Sequence, residues 1–373
     1  MSELRKIIEQ EIHDRGPIPF SRYMELCLYH PRLGYYSRNA EQFGKGGDFF
    51  TSSDVHAVFG RLAARQFDEM WRVLGSPSEI IIQELGPGRG LFAQDVLDWS
   101  AKKFPEFFHR LRYRLIEQSA ALQQRIARTL GCHFDSGKVS FGSANDRANA
   151  PVIVFANEFF DALPVDVVSS QGSLRVGARD GRFEESWVAT STEELEFLDR
   201  YSVHPGADER VEVARAAQKH LSSMCNFDRG FMIAIDYGYS REEQLAGRHR
   251  GTLKSIRRHS LNASPYEAPG EQDISAEVNF TALAAAAERQ GIDVQKLVTQ
   301  SQFLMGIGEA NQFADAFEDC RMPQERAKVA LQLKHLVTPA GMGESFHVLM
   351  MSKGVEEGKT ARLAGLNFGK RLP

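Results

Sequence analysis

The chain has 373 residues, 42% hydrophobic and 25% charged, with a formal net charge of −4. This is ordinary globular composition, long enough for two packed units or one elaborated domain, and it gives no global pull toward nucleic acid or an anionic membrane. The four cysteines, Cys27, Cys132, Cys225 and Cys320, lie far apart with no CxxC pair, which argues against structural zinc or a redox dithiol and for a reduced, cytoplasmic protein.

The first element, "MSELRKIIEQEIHDRG", mixes Glu3, Glu9, Glu11 and Asp14 with its basic residues, unlike a secretory or organellar leader. It reads as an amphipathic helix with Leu4, Ile7, Ile8 and Ile12 on one face and Gly16-Pro17 as its stop. Two further helices, "FSRYMELCLYH" and "VHAVFGRLAARQFDEMWRVL", flank a glycine-rich loop, "GYYSRNAEQFGKGGDFFTSS". Residues 1–75 are therefore expected to form a helical extension carrying a lid loop. No run approaches the roughly 18 apolar residues that cross a bilayer.

From residue 79 the pattern changes to short apolar runs alternating with helical segments. Strands are expected at 79–85, 112–117, 138–142, 151–157 and 231–236, with helices near 91–103 and 120–130. This is the pattern of a doubly wound, Rossmann-like α/β sheet, expected over 76–239. Between the fourth and fifth strands, about 165–190, alternating residues and turn glycines read as an inserted β-meander, with a helix near 206–224 after it. Residues 240–340 read as a cap over the substrate, with a strand "GTLKSIRR", a helix "NFTALAAAAERQG", a strand near 293–299 and a helix near 310–336. "SFHVLMMSK" then returns to the core sheet within 341–373.

The first strand runs into "ELGPGRG", which places Glu84, Gly86, Gly88 and Gly90 at the carboxyl end of a parallel strand, where such sheets bind ligands. A dinucleotide fingerprint, GxGxxG, needs its third glycine one residue later, and no lysine follows to make a triphosphate loop. Glu117 falls at the end of the adjacent strand, where a carboxylate accepts from both hydroxyls of a ribose. Glu84 is placed either to hold loop amides or to face a cationic amino-acid end. Glycines at 86 and 88 after an acid, with a second strand-terminal acid about thirty residues on, suit S-adenosylmethionine, an adenosine without phosphates.

Seven blocks occur in order along almost the whole chain: "GPIPFSRYMELCLYHPRLGYY", "GKGGDFFTSSDVHAVFG", "ELGPGRG", "NEFFDALPV", "IDYGY", "GTLKSIRRH" and "PGEQDISAEVNF". Together they resemble the MidA family of class I S-adenosylmethionine-dependent methyltransferases. The resemblance implies symmetric dimethylation of an arginine in a protein substrate, with a respiratory complex I subunit as client. It also implies that Asp48 and Thr51 lie near the methionine part of the cofactor, and that Gln118 joins Glu117 in holding it.

Asn157 and Glu158 end the fourth strand, a position that in methyltransferases generally faces cofactor and acceptor. A guanidinium acceptor needs a carboxylate to hold its planar fork. Glu158 is the first candidate and Asp161 the second, with capping of the turn before Pro164 as the alternative for Asp161. Phe159 and Phe160 either wall the acceptor or belong to the core. Asp236 and Tyr237 line the acceptor or cap a turn, and His259 is the candidate to take a proton after transfer. Competing readings are a small-molecule or other side-chain acceptor, and a cofactor-binding assembly factor with little turnover. A homodimer is compatible with all of them, and neither a metal nor nucleic acid is expected.

Overall fold

The computed structural model describes residues 2–37, 57–143, 146–147, 149–257, 260–262, 264–309, 311–356 and 358–369. The chain divides into two compact units, the first comprising 1–49, 158–222 and 238–286, and the second 50–157, 223–237 and 287–373. These units differ from the four segments expected from the sequence: residues 1–49 of the expected extension group with the meander, while its helix Ala57–Val73 belongs to the second unit.

The second unit holds the main sheet. Its parallel strands are Ile80–Leu85, Leu111–Ile116, Val139–Phe141, Val152–Asn157 and Gly230–Tyr239, the last two residues of which belong to the first unit; Phe346–Lys353 returns antiparallel. Across the sheet the order is third, second, first, fourth, fifth and return strand, with the two-residue strand Asp293–Val294 outside it. The direction of winding reverses between the first and fourth strands, which opens a crevice beyond their carboxyl ends. Every residue of Ile80–Leu85 is buried, as a strand covered on both faces requires.

Helices Ala57–Val73 and Leu91–Lys103 pack against each other over one face. Phe59, Phe67 and Phe92 surround Phe155 of the fourth strand, and the Phe92 and Phe155 rings stack at 4.4 Å with 7° between planes. Such a pair adds about 1 kcal/mol to the burial of its rings. This packing fixes the helix that begins at the glycine turn onto the strand that ends at Asn157.

In the first unit, helix Glu3–Arg15 buries Leu4, Ile8 and Ile12 and ends at Gly16, whose N–H caps the Ile12 carbonyl. It packs with Phe20–Tyr29 and with an antiparallel sheet made of Ile18–Pro19, Gly172–Arg179, Asp166–Ser169 and Arg210–Val213, with Arg182–Val188 paired to Gly172–Arg179. A smaller sheet joins Ser260–Asn262, Lys254–Arg257 and Asp273–Ser275.

Some elements differ from expectation. Only Arg215–Met224 of the helix expected over 206–224 is helical; Arg210–Val213 is a strand because Val211 and Val213 alternate into the core beside Asp166–Ser169. A helix at Thr192–Tyr201 was not anticipated, although Ser191 and Glu194 form a capping box at its start. The helix expected over 310–336 is broken into Ala314–Phe317 and Pro323–Val337, since proline fits the first turn of a new helix better than the interior of an old one. No helix among the described residues is long and apolar enough to cross a membrane.

Candidate cofactor and acceptor sites

Strand register sets the geometry of the crevice in the second unit. Leu85 pairs with Ile116 on one side and Ala156 on the other. Gly86, Glu117 and Asn157 are the residues that follow this row along their chains, and neighbouring strands run about 5 Å apart. Alternation of side chains puts Glu84, Glu117 and Asn157 on the sheet face that carries Phe155.

The backbone between them is shaped for close approach. Gly86, Gly88 and Gly90 have φ of 57°, 55° and 78°, all left-handed, a region that residues with a Cβ enter at a cost. The turn is held by Gly86 N–H to the Ile116 carbonyl at 3.1 Å and Gly90 N–H to the Pro87 carbonyl at 2.8 Å. A Cβ on Gly90 would lie 3.2 Å from Ile126 Cγ2 and 3.3 Å from Leu130 Cδ1. The helix that begins at Leu91 has Gly90 as its N-cap, which has no side chain to satisfy the first-turn amides.

Glu117 is half-buried, and its Oε1 accepts the Ser119 N–H at 2.7 Å. Burial raises its pKa above the ordinary carboxylate range, against the backbone N–H groups of Ser119 and Gln118. The Gln118 residue itself is exposed and Asn157 is half-buried. Glu84 does not border the turn in the open; it is buried, accepts the Tyr113 hydroxyl at 2.8 Å, and burial pushes its pKa up to about 8. The row of backbone and carboxylate groups, without a phosphate-binding lysine in the turn, fits S-adenosylmethionine. Asp48, Thr51 and His259 lie outside the described residues.

Of the acceptor candidates, Glu158, Phe159, Phe160 and Asp161 fall in the first unit, which the chain re-enters at Glu158. Glu158 is half-buried with φ of 50°. Asp161 is buried, and its carbonyl accepts the Ala276 N–H at 3.0 Å. Phe159 meets Phe160 edge-on at 5.4 Å and the His220 ring at 6.3 Å, and burial holds the His220 pKa below its usual value. Sequence reasoning passed over His220, which no motif marks, and also Tyr29 and Tyr36, which sit inside a quoted block. Tyr29 donates to the Ala162 carbonyl and Tyr36 to Asp273, both at 2.9 Å. Asp236, in the second unit, is buried and accepts the N–H of its neighbour Tyr237 at 3.0 Å. No group of metal-ligating side chains occurs among the described residues.

A family model for S-adenosyl-L-methionine-dependent methyltransferases matches residues 62–298. The chain is 29% identical to the mitochondrial protein arginine methyltransferase NDUFAF7 homolog of Drosophila melanogaster, over 94% of this chain and 85% of that protein. It is 25% identical to the mitochondrial protein arginine methyltransferase NDUFAF7 of Homo sapiens, over 90% of this chain and 80% of that protein. A crystal structure from Burkholderia thailandensis bound to S-adenosyl-homocysteine superposes with a TM-score of 0.83 at 29% identity, covering 96% of this chain and 94% of that one.

Proposed function

The chain belongs to this family of S-adenosyl-L-methionine-dependent methyltransferases, and from that premise we propose that its acceptor is an arginine side chain of a protein, which it dimethylates symmetrically. When bound, S-adenosylmethionine supplies an electrophilic methyl group. The protein's own residues must then align the acceptor and exclude water, because displacement at a methyl carbon gains chiefly from orientation and electrostatics.

For the cofactor, the Gly86–Gly90 backbone offers a surface without side chains, Glu117 accepts the ribose hydroxyls, and Gln118 and Asn157 flank them. The observation that carries this reading is the paired row of Leu85, Ile116 and Ala156, directly followed by Gly86, Glu117 and Asn157, together with left-handed φ at Gly86, Gly88 and Gly90. Glu84 supports the turn from beneath, as a buried acid tied to Tyr113. Asp48 and Thr51 complete the methionine end in this proposal.

For the acceptor, Glu158 holds the guanidinium fork, with Asp161 as the second carboxylate and His259 as the proton acceptor. The protein-arginine class is supported by two relatives similar along most of their length, each named a protein arginine methyltransferase. The client we favour is a respiratory complex I subunit, on the strength of the family resemblance, met in the cytoplasm where the four free thiols stay reduced.

The experiment mixes purified protein, labelled S-adenosylmethionine and the protein fraction of a cell extract. A labelled band that yields symmetric dimethylarginine by mass spectrometry supports the proposal. Label confined to small molecules, or to lysine, removes it.

A further inference from the structure

The second strand of the main sheet, "LRYRLI", alternates with a period of two, which a parallel strand covered on both faces has no reason to do. Leu111, Tyr113 and Leu115 are buried on the face that carries Glu84 and Phe155. The opposite face opens toward its edge. There Ile81, Gln83 and Leu85 of the first strand are buried, whereas Arg112 is exposed, Arg114 and Ile116 are half-buried, and Ser140 of the third strand is exposed.

The chain's connectivity accounts for the opening. The crossovers from first to second and from second to third strand carry the helices Leu91–Lys103 and Ala120–Thr129. The crossover from third to fourth strand has only residues 142–151, and no helix occurs among its described residues. That is short of the dozen or so residues a helical crossover takes. A layer that doubly wound sheets ordinarily fill with helices is therefore not supplied by this connection.

What the opening presents is positive charge. Arg114 has its Nη1 shut off from solvent and without a hydrogen-bond partner. No acidic residue shares this face on the three strands. Asp146 of the short crossover accepts the Ser143 N–H at 2.8 Å. Lys138 donates to the Phe108 and Leu111 carbonyls at 2.7 and 2.9 Å, and its pKa is held down by burial first and then by the charge of Arg112. Arginines on an open strand are often only a solvated edge. A guanidinium N–H sealed without an acceptor is a different matter, because it is unfavourable until the side chain turns to meet a carboxylate.

We propose that the sheet face carrying Arg112 and Arg114 is a docking surface for a partner protein, which lays on it a helix bearing two carboxylates one turn apart. Arg112 and Arg114 stand two residues apart on one strand, about 6.6 Å. Carboxylates at i and i+4 on a helix are about 6 Å apart along its axis, and each guanidinium fork takes one of them in its plane. Ile116, next in line, offers an apolar footing for the following turn of the helix. The partner thus fills the layer that the short crossover leaves out. The surface lies on the opposite face of the sheet from Glu84 and Glu117, and it does not depend on the identity of the methyl acceptor.

The test uses the full chain and three fluorescein-labelled, alanine-based helical peptides with Glu, Gln or Lys at two positions one turn apart and a leucine one turn further on. By fluorescence anisotropy at about 50 mM salt, wild type is expected to bind the Glu peptide at least about tenfold more tightly than the Gln peptide, and the ratio should shrink at about 0.5 M. Arg112→Glu is expected to weaken the Glu peptide about tenfold, to prefer the Lys peptide, and to keep S-adenosylmethionine affinity within about twofold. Arg114→Gln should weaken the Glu peptide about fivefold. Arg128→Glu, which reverses an exposed charge on the helix Ala120–Thr129, should leave peptide binding unchanged.

Wild type that treats the Glu and Gln peptides alike overturns the proposal, and so does an equal loss in Arg112→Glu and Arg128→Glu, which would reveal general charge attraction. Single-stranded RNA and phosphatidylserine vesicles are titrated alongside. Binding to either that depends on Arg112 and exceeds binding to the Glu peptide makes the face a phosphate surface and overturns it as well. Should Arg114→Gln fail to fold, seen as loss of S-adenosylmethionine binding, the exposed-site pair Arg112→Glu and Arg128→Glu decides.

Discussion

Tyr113 donates its hydroxyl to Glu84 at 2.8 Å, joining the second strand to the first beneath the glycine turn. The carboxyl is buried and its pKa pushed up to about 8, chiefly by burial and against the Tyr113 hydrogen bond. Because the folded value lies above the unfolded one, the native state holds an extra proton between about pH 4.5 and 8. Stability from this group is therefore greatest at low pH and is lost as pH rises through that window, by at most about 1.4 kcal/mol per unit. Glu84→Gln keeps an acceptor for Tyr113 but carries no proton to lose. Urea unfolding at pH 6 and pH 8 should show a smaller fall for the variant than for wild type. Equal slopes would mean that Glu84 is ionised throughout.

At Gly90 an added side chain meets both a backbone and a space constraint. Its φ of 78° puts alanine in the left-handed region, at about 1–2 kcal/mol. The methyl would press on Ile126 and Leu130 at 3.2 and 3.3 Å, both of them movable side-chain ends. Gly75 is the control, with φ of 81° and nothing within 4 Å of an added Cβ. Both Gly→Ala variants should lose comparable stability in thermal unfolding, but only Gly90→Ala should weaken S-adenosylmethionine binding, by about tenfold or more. Equal binding by the two variants would show that the turn takes no part in holding the cofactor.

Glu117 tests the ribose assignment. Its carboxylate already accepts the Ser119 N–H at 2.7 Å, and glutamine can keep that bond through its carbonyl. Glu117→Gln should therefore leave the melting temperature within about 2 °C while costing about 1.5–3 kcal/mol of cofactor affinity, the range for hydrogen bonds to a charged acceptor. Calorimetry with S-adenosyl-homocysteine reads this without turnover. A loss of stability with affinity intact would make Glu117 a support for the loop alone.

The core strands were legible because a buried parallel strand is a continuous apolar run and its turn is marked by glycines, as at Ile80–Leu85 and Gly86–Gly90. Glu117 followed from the same logic, since strand-end position is a matter of counting. Register supplied the rest of that row. What the sequence concealed depends on contacts between distant segments. Nothing near Glu84 announces Tyr113, twenty-nine residues away, so Glu84 read as an acid at the turn rather than one sealed beneath it. The grouping of the N-terminal helices with the meander is likewise invisible to periodicity, because Ile18–Pro19 contributes only two residues to the pairing with Gly172–Arg179. The helix over 206–224 was overextended because "RVEV" is too short for its alternation to stand out beside the helical residues after it.

Glu158 brings conformational cost and proposed function together at one residue. Its φ of 50° is unusual for a side chain larger than glycine, asparagine or aspartate, and it costs about 1 kcal/mol or more. If that cost is retained for the sake of the carboxylate, two substitutions should part company. Glu158→Gly relieves the backbone and removes the charge, so it should raise unfolding stability by up to about 1 kcal/mol while methyl transfer to extract protein collapses. Glu158→Gln keeps the cost and removes only the charge, so transfer should fall with stability unchanged. Urea titrations and labelled-extract assays on the same preparations give both readouts. Full-rate transfer by Glu158→Gln would move the acceptor-holding role to the other carboxylates of the first unit.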